Sequence, residues 1–287
     1  MTAPATFLVD NGSLRPEATL RLRELAADLS IKSGLRVEPV SLLHSHKIAA
    51  VRINDEAATI VKRRMRELLA LGQRDFCILP LFLGPSLAIT DYLPSIADEL
   101  REGAPELRVT IADPIAGPEV ESPDPRLAEI LADQIEQITT AGSVETEQIA
   151  LVDHGTPIKP VNTLRNAVAR QLSARLGRTV TACSMERREG PEYAFNEPLL
   201  EKLRPGEAGS STRLLLSMFF LLPGRHAGPG GDVAAIADRL TVPGCFESVR
   251  ISSLLGEHPI LLEILNDRLA EAIARRGDQP AVFSGAS

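Results

Sequence analysis

Two hydrophobic patterns alternate along the chain: short runs that are apolar throughout, and longer stretches that are apolar on one side only. In the first half, Phe7–Asp10, Val37–Leu43, Phe76–Leu83 and Val109–Ala112 read as strands. Between them lie helices. Pro16–Ile31 sets Leu20, Leu25 and Leu29 on one side and is closed by Gly34; Glu56–Leu71 ends at Gly72; two more begin at about Thr90 and at Pro125. The second half repeats the alternation. Strands are expected at Ile149–Asp153, Val180–Met185, Arg213–Leu222 and Val249–Leu255. Helices are expected at Lys159–Leu176, from Gly231 and at Pro259–Arg275, with a Pro-rich helical region after the second strand. Leu214–Leu222, interrupted only by Ser217, fits a strand buried on both faces. The reading is an α/β protein of two tandem flavodoxin-like units, each a four-stranded parallel sheet with helices on both faces.

The two halves are also related residue by residue. Val9-Asp10-Asn11-Gly12-Ser13 aligns with Val152-Asp153-His154-Gly155-Thr156 at an offset of 143, and the same offset pairs Leu29 with Leu172, Gly34 with Gly177 and Ser41 with Ser184. Later, Pro125–Asp133 resembles Pro259–Asp267. A duplicated chain is therefore expected, with units at 1–140 and 148–287, a polar linker at Thr139–Gln148 and a loose tail from Arg276.

The copies differ at the strand ends, where open α/β sheets bind ligands. Asn11 stands opposite His154, Leu43 opposite Glu186, Ser86 or Leu87 opposite His226, and Asp124 opposite His258. The second copy thus holds the titratable groups and the first supplies a wall. His154, Glu186 and His226 end three strands of one sheet, about 5 Å apart per strand step, so they can converge. Two imidazoles and a carboxylate suit a divalent metal such as Co2+, Fe2+ or Ni2+, and can equally accept protons near neutral pH. Arg225, Lys159, Arg187, Arg188 and Arg165 surround these ends and could bind ligand carboxylates. His44 and His46 read as surface residues, Asp10 and Asp153 as shared turn caps, and Gly228-Pro229-Gly230-Gly231 as a flexible lid or turn.

Composition narrows the function. The net charge of −7 and 3% aromatic content argue against a nucleic-acid binder. Three separated cysteines, Cys77, Cys183 and Cys245, form no disulfide framework or Cys-x-x-Cys motif. No signal peptide or membrane-spanning run is read, so a soluble cytoplasmic protein without a membrane partner is expected. No Gly-x-Ser-x-Gly elbow supports a hydrolase.

Asp153-His154-Gly155-Thr156, Phe219-Phe220-Leu221-Leu222-Pro223-Gly224-Arg225-His226 followed by Asp232, and Leu254-Leu255-Gly256-Glu257-His258-Pro259 resemble the sirohydrochlorin cobaltochelatase/ferrochelatase family across nearly the whole chain. The resemblance implies ATP-independent insertion of a divalent metal into a tetrapyrrole, in a cleft between two family domains. His154 and His226 would bind the incoming metal and take the pyrrole protons, with Glu186 assisting. No permanent cofactor is implied; the metal is a substrate, the tetrapyrrole is the small-molecule partner, and the protein would be a monomer or homodimer. The chain departs from the family at Pro157-Ile158-Lys159, where an Arg is usual, and in carrying its histidines in the second half rather than the first. The alternative is a non-catalytic metal or tetrapyrrole carrier on the same scaffold.

Overall fold

The structure, a computed structural model, describes residues 3–139, 147–206, 213–242 and 245–278. It contains two four-stranded parallel sheets. The first is built from β1 (Ala5–Asp10), β2 (Val37–Ser41), β3 (Asp75–Pro80) and β4 (Arg108–Ile111), in the order β2-β1-β3-β4. The second repeats that order with β5 (Glu147–Asp153), β6 (Val180–Ser184), β7 (Arg213–Met218) and β8 (Ser248–Leu254), as β6-β5-β7-β8. The expected α/β class and both sheets are present. The linker and the tail fall largely outside the described residues.

The helices are α1 (Pro16–Ser33), α2 (Val61–Ala70), α3 (Leu93–Gly103), α4 (Arg126–Ile138), α5 (Lys159–Leu176), α6 (Asp232–Leu240) and α7 (Pro259–Asp278). Among the described residues, none is long and apolar enough to cross a membrane. Gly34 and Gly177 end α1 and α5 with left-handed backbone, at φ 70° and 64°, a conformation that glycine adopts without steric cost.

Several elements are shorter than the sequence predicts, β2 among them, which ends at Ser41 rather than Leu43. The helix expected at Glu56–Leu71 starts only at Val61. Asn54 and Asp55 turn the chain left-handed, and the segment before the helix instead bridges to β2, with Ser41 N–H bonded to the Thr59 carbonyl and Ile60 extended. The strand expected at Phe76–Leu83 ends at Pro80, and that expected at Arg213–Leu222 ends at Met218. Beyond β7 the run stays apolar for a second reason. Leu221 and Leu222 leave the sheet and pack into the seam between the two units, and the Phe220 and Leu221 carbonyls accept the N–H groups of Leu255 and Gly256.

Alternate residues of the central strands feed different cores, which is why these strands read as unbroken apolar runs. In β1, Phe7 and Val9 face an outer cluster with α2 and α3, whereas Leu8 faces inward. In β5, Ala150 and Val152 face the cluster under α6, whereas Ile149 and Leu151 face inward. The inward faces share one continuous core, filled by α1, α4, α5 and α7.

The units also exchange their last helices. α4, from the first half of the chain, packs on β7, β8 and α5 of the second sheet; α7, from the second half, packs on β3, β4 and α1 of the first. Equivalent anchors fix each helix: Gln134 of α4 donates to the Leu254 carbonyl at 2.9 Å, and Arg268 of α7 donates to the Pro114 carbonyl at 3.3 Å. Arg126–Asp267 (2.6 Å) and Arg268–Asp124 (2.9 Å) add two ion pairs between the halves.

A shared core and exchanged helices predict one cooperative transition. Leu131→Ala, at a fully buried α4 position, is expected to lower stability by about 2–5 kcal/mol. Urea denaturation followed by circular dichroism should show a single sigmoid shifted to lower denaturant. Two separated transitions would show that each half holds its own core.

Candidate functional site

The site is built on the turn after β5. Gly155 has φ +94°, and a Cβ there would lie 1.8 Å from the Glu186 carbonyl oxygen. Only glycine lets the two strand-end loops approach so closely. The first unit shows the same contact, where a Cβ on Gly12 would lie 1.8 Å from the Leu43 carbonyl oxygen. Backbone bonds confirm the pairing of the copies: Glu186 N–H donates to the His154 carbonyl at 3.1 Å, and Leu43 N–H to the Asn11 carbonyl at 3.2 Å. His154 and Glu186 are thereby fixed next to each other by the β5–β6 pairing itself.

His226 arrives from the third strand. Its loop is closed on itself rather than an open lid: Gly224 N–H donates to the Ala227 carbonyl, Gly231 N–H to Gly228, and Val233 N–H to His226. These bonds hold His226 against the start of α6. The His154 and His226 rings meet edge to face, with centroids 4.5 Å apart and planes at 63°.

Each imidazole is anchored through Nδ1. His226 Nδ1 lies 2.7 Å from Asp232 Oδ2, at the first residue of α6. A carboxylate only accepts, so Nδ1 is the donor and Nε2 keeps its lone pair. His154 Nδ1 lies 3.0 Å from the Gly155 carbonyl oxygen, which likewise makes it the donor, and Nε2 faces Glu186 Oε1 at 3.3 Å. On His226 this leaves Nε2 to bind a metal or a proton, whereas on His154 both nitrogens face oxygen acceptors and Nε2 is shared with Glu186. Among the described residues, no three His, Cys, Asp or Glu side chains are arranged as a group that could hold a metal ion. Asp232 is absent from the residues that strand-end reasoning selects, because it belongs to a helix start. Its spacing after His226 was the available signal.

Beneath the pair lies a buried polar network. Arg165, expected among the cations open to a ligand, is instead 1% exposed. Its Nη1 donates to Ser184 Oγ at 2.6 Å and approaches Asp153 Oδ1 at 3.4 Å, while Ser184 Oγ donates to Asp153 at 2.6 Å. Asn196 continues the network, accepting the Thr156 N–H and donating to the Thr156 carbonyl. Burial pushes the Asp153 carboxyl above its ordinary range, while the Arg165 charge, the Ser184 hydroxyl and neighbouring His154 pull it back. The residues on both sides of His154 are thus held from below.

The remaining cations divide. Lys159, Arg188 and Arg225 are exposed. Arg188 sits 6.0 Å from the Tyr193 ring centroid, and Arg225 Nε lies 3.6 Å from Asp232. Arg187 is engaged within its own loop, with Glu197 at 2.9 Å and the Arg188 and Gly190 carbonyls. His258 is a fixing residue rather than an open one: it accepts the Ile260 N–H and lies 3.5 Å from Asp133 of α4.

Residues 5–138 match the family model CbiX. No curated protein matches the chain by sequence. Two structures of SirB from Bacillus subtilis, one with Fe3+ and one a sirohydrochlorin chelatase in complex with cobalt, share its fold. Their TM-scores are 0.70 and 0.69 at 17% and 13% identity, over 97% of this chain and 98% of theirs. DR2241 from Deinococcus radiodurans, a multi-domain protein with structural similarity to chelatases, gives a TM-score of 0.56 at 16% identity, over 94% of this chain and 55% of its own. The family match lies on the unit that lacks the histidines.

That unit carries a buried acid with no cation. Leu22 occupies the place of Arg165, Asp10 Oδ1 has no partner, and burial pushes the Asp10 carboxyl up to about 6 despite bonds from Ser41 and Gly12. A raised folded-state value favours the protonated form. The stability this gives is present below the unfolded value near 4 and is lost as pH rises to about 6. The loss is about 3 kcal/mol for a shift of about two units. Asp10→Asn keeps the neutral shape, so its urea stability should fall less than the parent's between pH 4.5 and pH 7. Parallel pH dependence in the two proteins would contradict this.

Proposed function

We propose, from the match of residues 5–138 to the family model CbiX, that the chain is a chelatase of the sirohydrochlorin type. On that premise we propose that it inserts a divalent metal into sirohydrochlorin or a related tetrapyrrole without ATP, at the strand ends of its second unit. Co2+ and Fe2+ are the metals proposed, and the donor set also accepts Ni2+. The observation that carries this reading is the His154–His226 pair, two imidazoles 4.5 Å apart with both Nδ1 atoms anchored.

Insertion replaces two pyrrole N–H protons by one M2+. The protein must therefore hold the metal loosely, accept two protons and position the ring. His154 and His226 present basic Nε2 atoms for the first two tasks, and Glu186, at 3.3 Å from His154, supplies a negative charge beside the metal path. Two imidazoles with open positions bind a metal without enclosing it, which suits a metal that must leave for the ring. Asp232 acts through His226 as a positioning residue. Lys159, Arg188 and Arg225, all exposed, would meet the ring's carboxylates, while Arg187 braces the loop that carries Arg188. The protein is proposed to act in the cytoplasm on its small-molecule substrate, as a monomer or homodimer.

Anaerobic absorption spectroscopy of sirohydrochlorin with Co2+ tests the reading. His154→Ala and His226→Ala should each lower kcat/KM by about 100-fold or more, and Asp232→Asn by about tenfold, the usual scale for losing a group that orients a histidine. Turnover unchanged in both histidine variants would exclude this site. A spectral change that only tracks the amount of protein, with no turnover, would indicate a carrier instead.

A further inference from the structure

Asp232 orients His226 by a direct bond to Nδ1, but His154 has a backbone group in that place, the Gly155 carbonyl oxygen at 3.0 Å. A carbonyl orients a ring only if its own peptide plane is fixed, and Gly155, at φ +94°, has no side chain to fix it. The Gly155–Thr156 peptide is trans, so its C=O and its N–H point in opposite directions. The Thr156 N–H donates to Asn196 Oδ1 at 3.0 Å. One planar unit is therefore bonded to His154 at its oxygen and to Asn196 at its nitrogen.

Asn196 is itself held. It is fully buried, and its Nδ2 donates to the Thr156 carbonyl at 2.9 Å and to the Tyr193 carbonyl at 3.1 Å. Its own carbonyl oxygen lies 3.5 Å from Arg165 Nη1. An N–H on one side and two carbonyls on the other leave the side-chain amide a single orientation.

The first unit is a natural control. Ser41 bridges to Ile60 there, as Ser184 bridges to Leu199 in the second unit. Three residues before each bridge stand exposed Ala57 and buried Asn196, and the copy with Ala57 has Asn11 opposite His154. Both copies keep the close Gly–carbonyl contact and the turn hydroxyl, Ser13 Oγ accepting the Arg15 N–H and Thr156 Oγ1 the Ile158 N–H. The first unit thus forms this turn with no asparagine at that place. The asparagine accompanies the imidazole.

We propose that Asn196 is a positioning residue for His154. By holding the Gly155–Thr156 peptide it keeps the Gly155 carbonyl on Nδ1–H, and so sets the tautomer whose Nε2 faces Glu186 and the incoming metal. Asn196 does for one imidazole, through a peptide, what Asp232 does for the other. The purpose of this arrangement rests on the chelatase reading; its geometry does not.

Nitrogen-15 NMR of the histidine-labelled full chain tests this, without metal or substrate and at a pH where the imidazoles are neutral. It reads the tautomer of each ring, and the His154→Ala spectrum identifies the His154 signals. The parent should carry the His154 proton on Nδ1. In Asn196→Ala the Nε2–H form of His154 should become the major one, while His226 keeps its proton on Nδ1. Asn196→Asp keeps an oxygen for the Thr156 N–H but loses both donor bonds. It should hold the parent's His154 signature even with a lower urea midpoint. Turnover of sirohydrochlorin with Co2+ should fall about tenfold in Asn196→Ala, the usual scale for losing a group that orients a histidine, and in kcat rather than KM. A parent His154 protonated on Nε2 would overturn the proposal, as would a folded Asn196→Ala with the parent's signature. An Asn196→Asp chain that folds but loses the signature would overturn it too, and this arm decides alone if Asn196→Ala does not fold. An unchanged kcat in a variant whose tautomer has moved would remove the positioning role. Tautomers as expected in a parent that inserts no metal would end the chelatase reading and leave the hold on His154 in place.

Discussion

The exchange of α4 and α7 between the two sheets is the constraint on which the rest depends. Each sheet is closed on its inner face by a helix from the other half of the chain, so the inner core belongs to neither unit alone. The exchange fixes how the two sets of strand ends stand relative to each other. The loops after β3 and β7 are drawn into the common seam by Leu81, Leu83, Phe219, Leu221 and Leu222 before they turn back toward solvent. What those loops present beyond the seam, Leu87 on one side and His226 on the other, is therefore positioned by burial rather than by loop stiffness.

On this symmetric frame the two copies have diverged at a few positions with large physical consequences. The close Gly–carbonyl contact after the first strand is kept in both. Below it, one copy fills the Arg165 position and the other has Leu22. With the arginine, the buried aspartate is bound into a network that steadies the His154 turn. Without it, Asp10 is left with an unpartnered oxygen, and burial raises its carboxyl to about 6. Burial disfavours the charged form of such an acid, and no cation offsets that cost at Asp10. Above the network, the second unit carries His154 and Glu186 where the first has Asn11 and Leu43.

Much of this was legible from residue order alone. The two sheets, the repeat offset and the pairwise contacts of His154 with Glu186 and with His226 follow from period and from comparing the copies. The helix exchange was not legible, because α4 and α7 are amphipathic helices whose sequence does not say which sheet they cover. The end of β7 was missed because Leu221 and Leu222 are as apolar as the strand before them but serve the seam. Arg165 read as an exposed cation because nothing in the sequence distinguishes a buried, network-bonded arginine from a ligand-binding one. Asp232 was legible only as a spacing after His226, because its bond to the imidazole depends on how the loop closes onto α6.

The central claim is that His154 and His226 of the second unit are the metal-handling groups. X-ray absorption spectroscopy of the Co2+-loaded chain tests it most directly. The account predicts a scattering pattern containing two imidazole ligands, lost when His154 and His226 are both replaced by alanine. A cobalt spectrum without imidazole scattering, or one unchanged by the double replacement, would place the metal elsewhere and contradict the account.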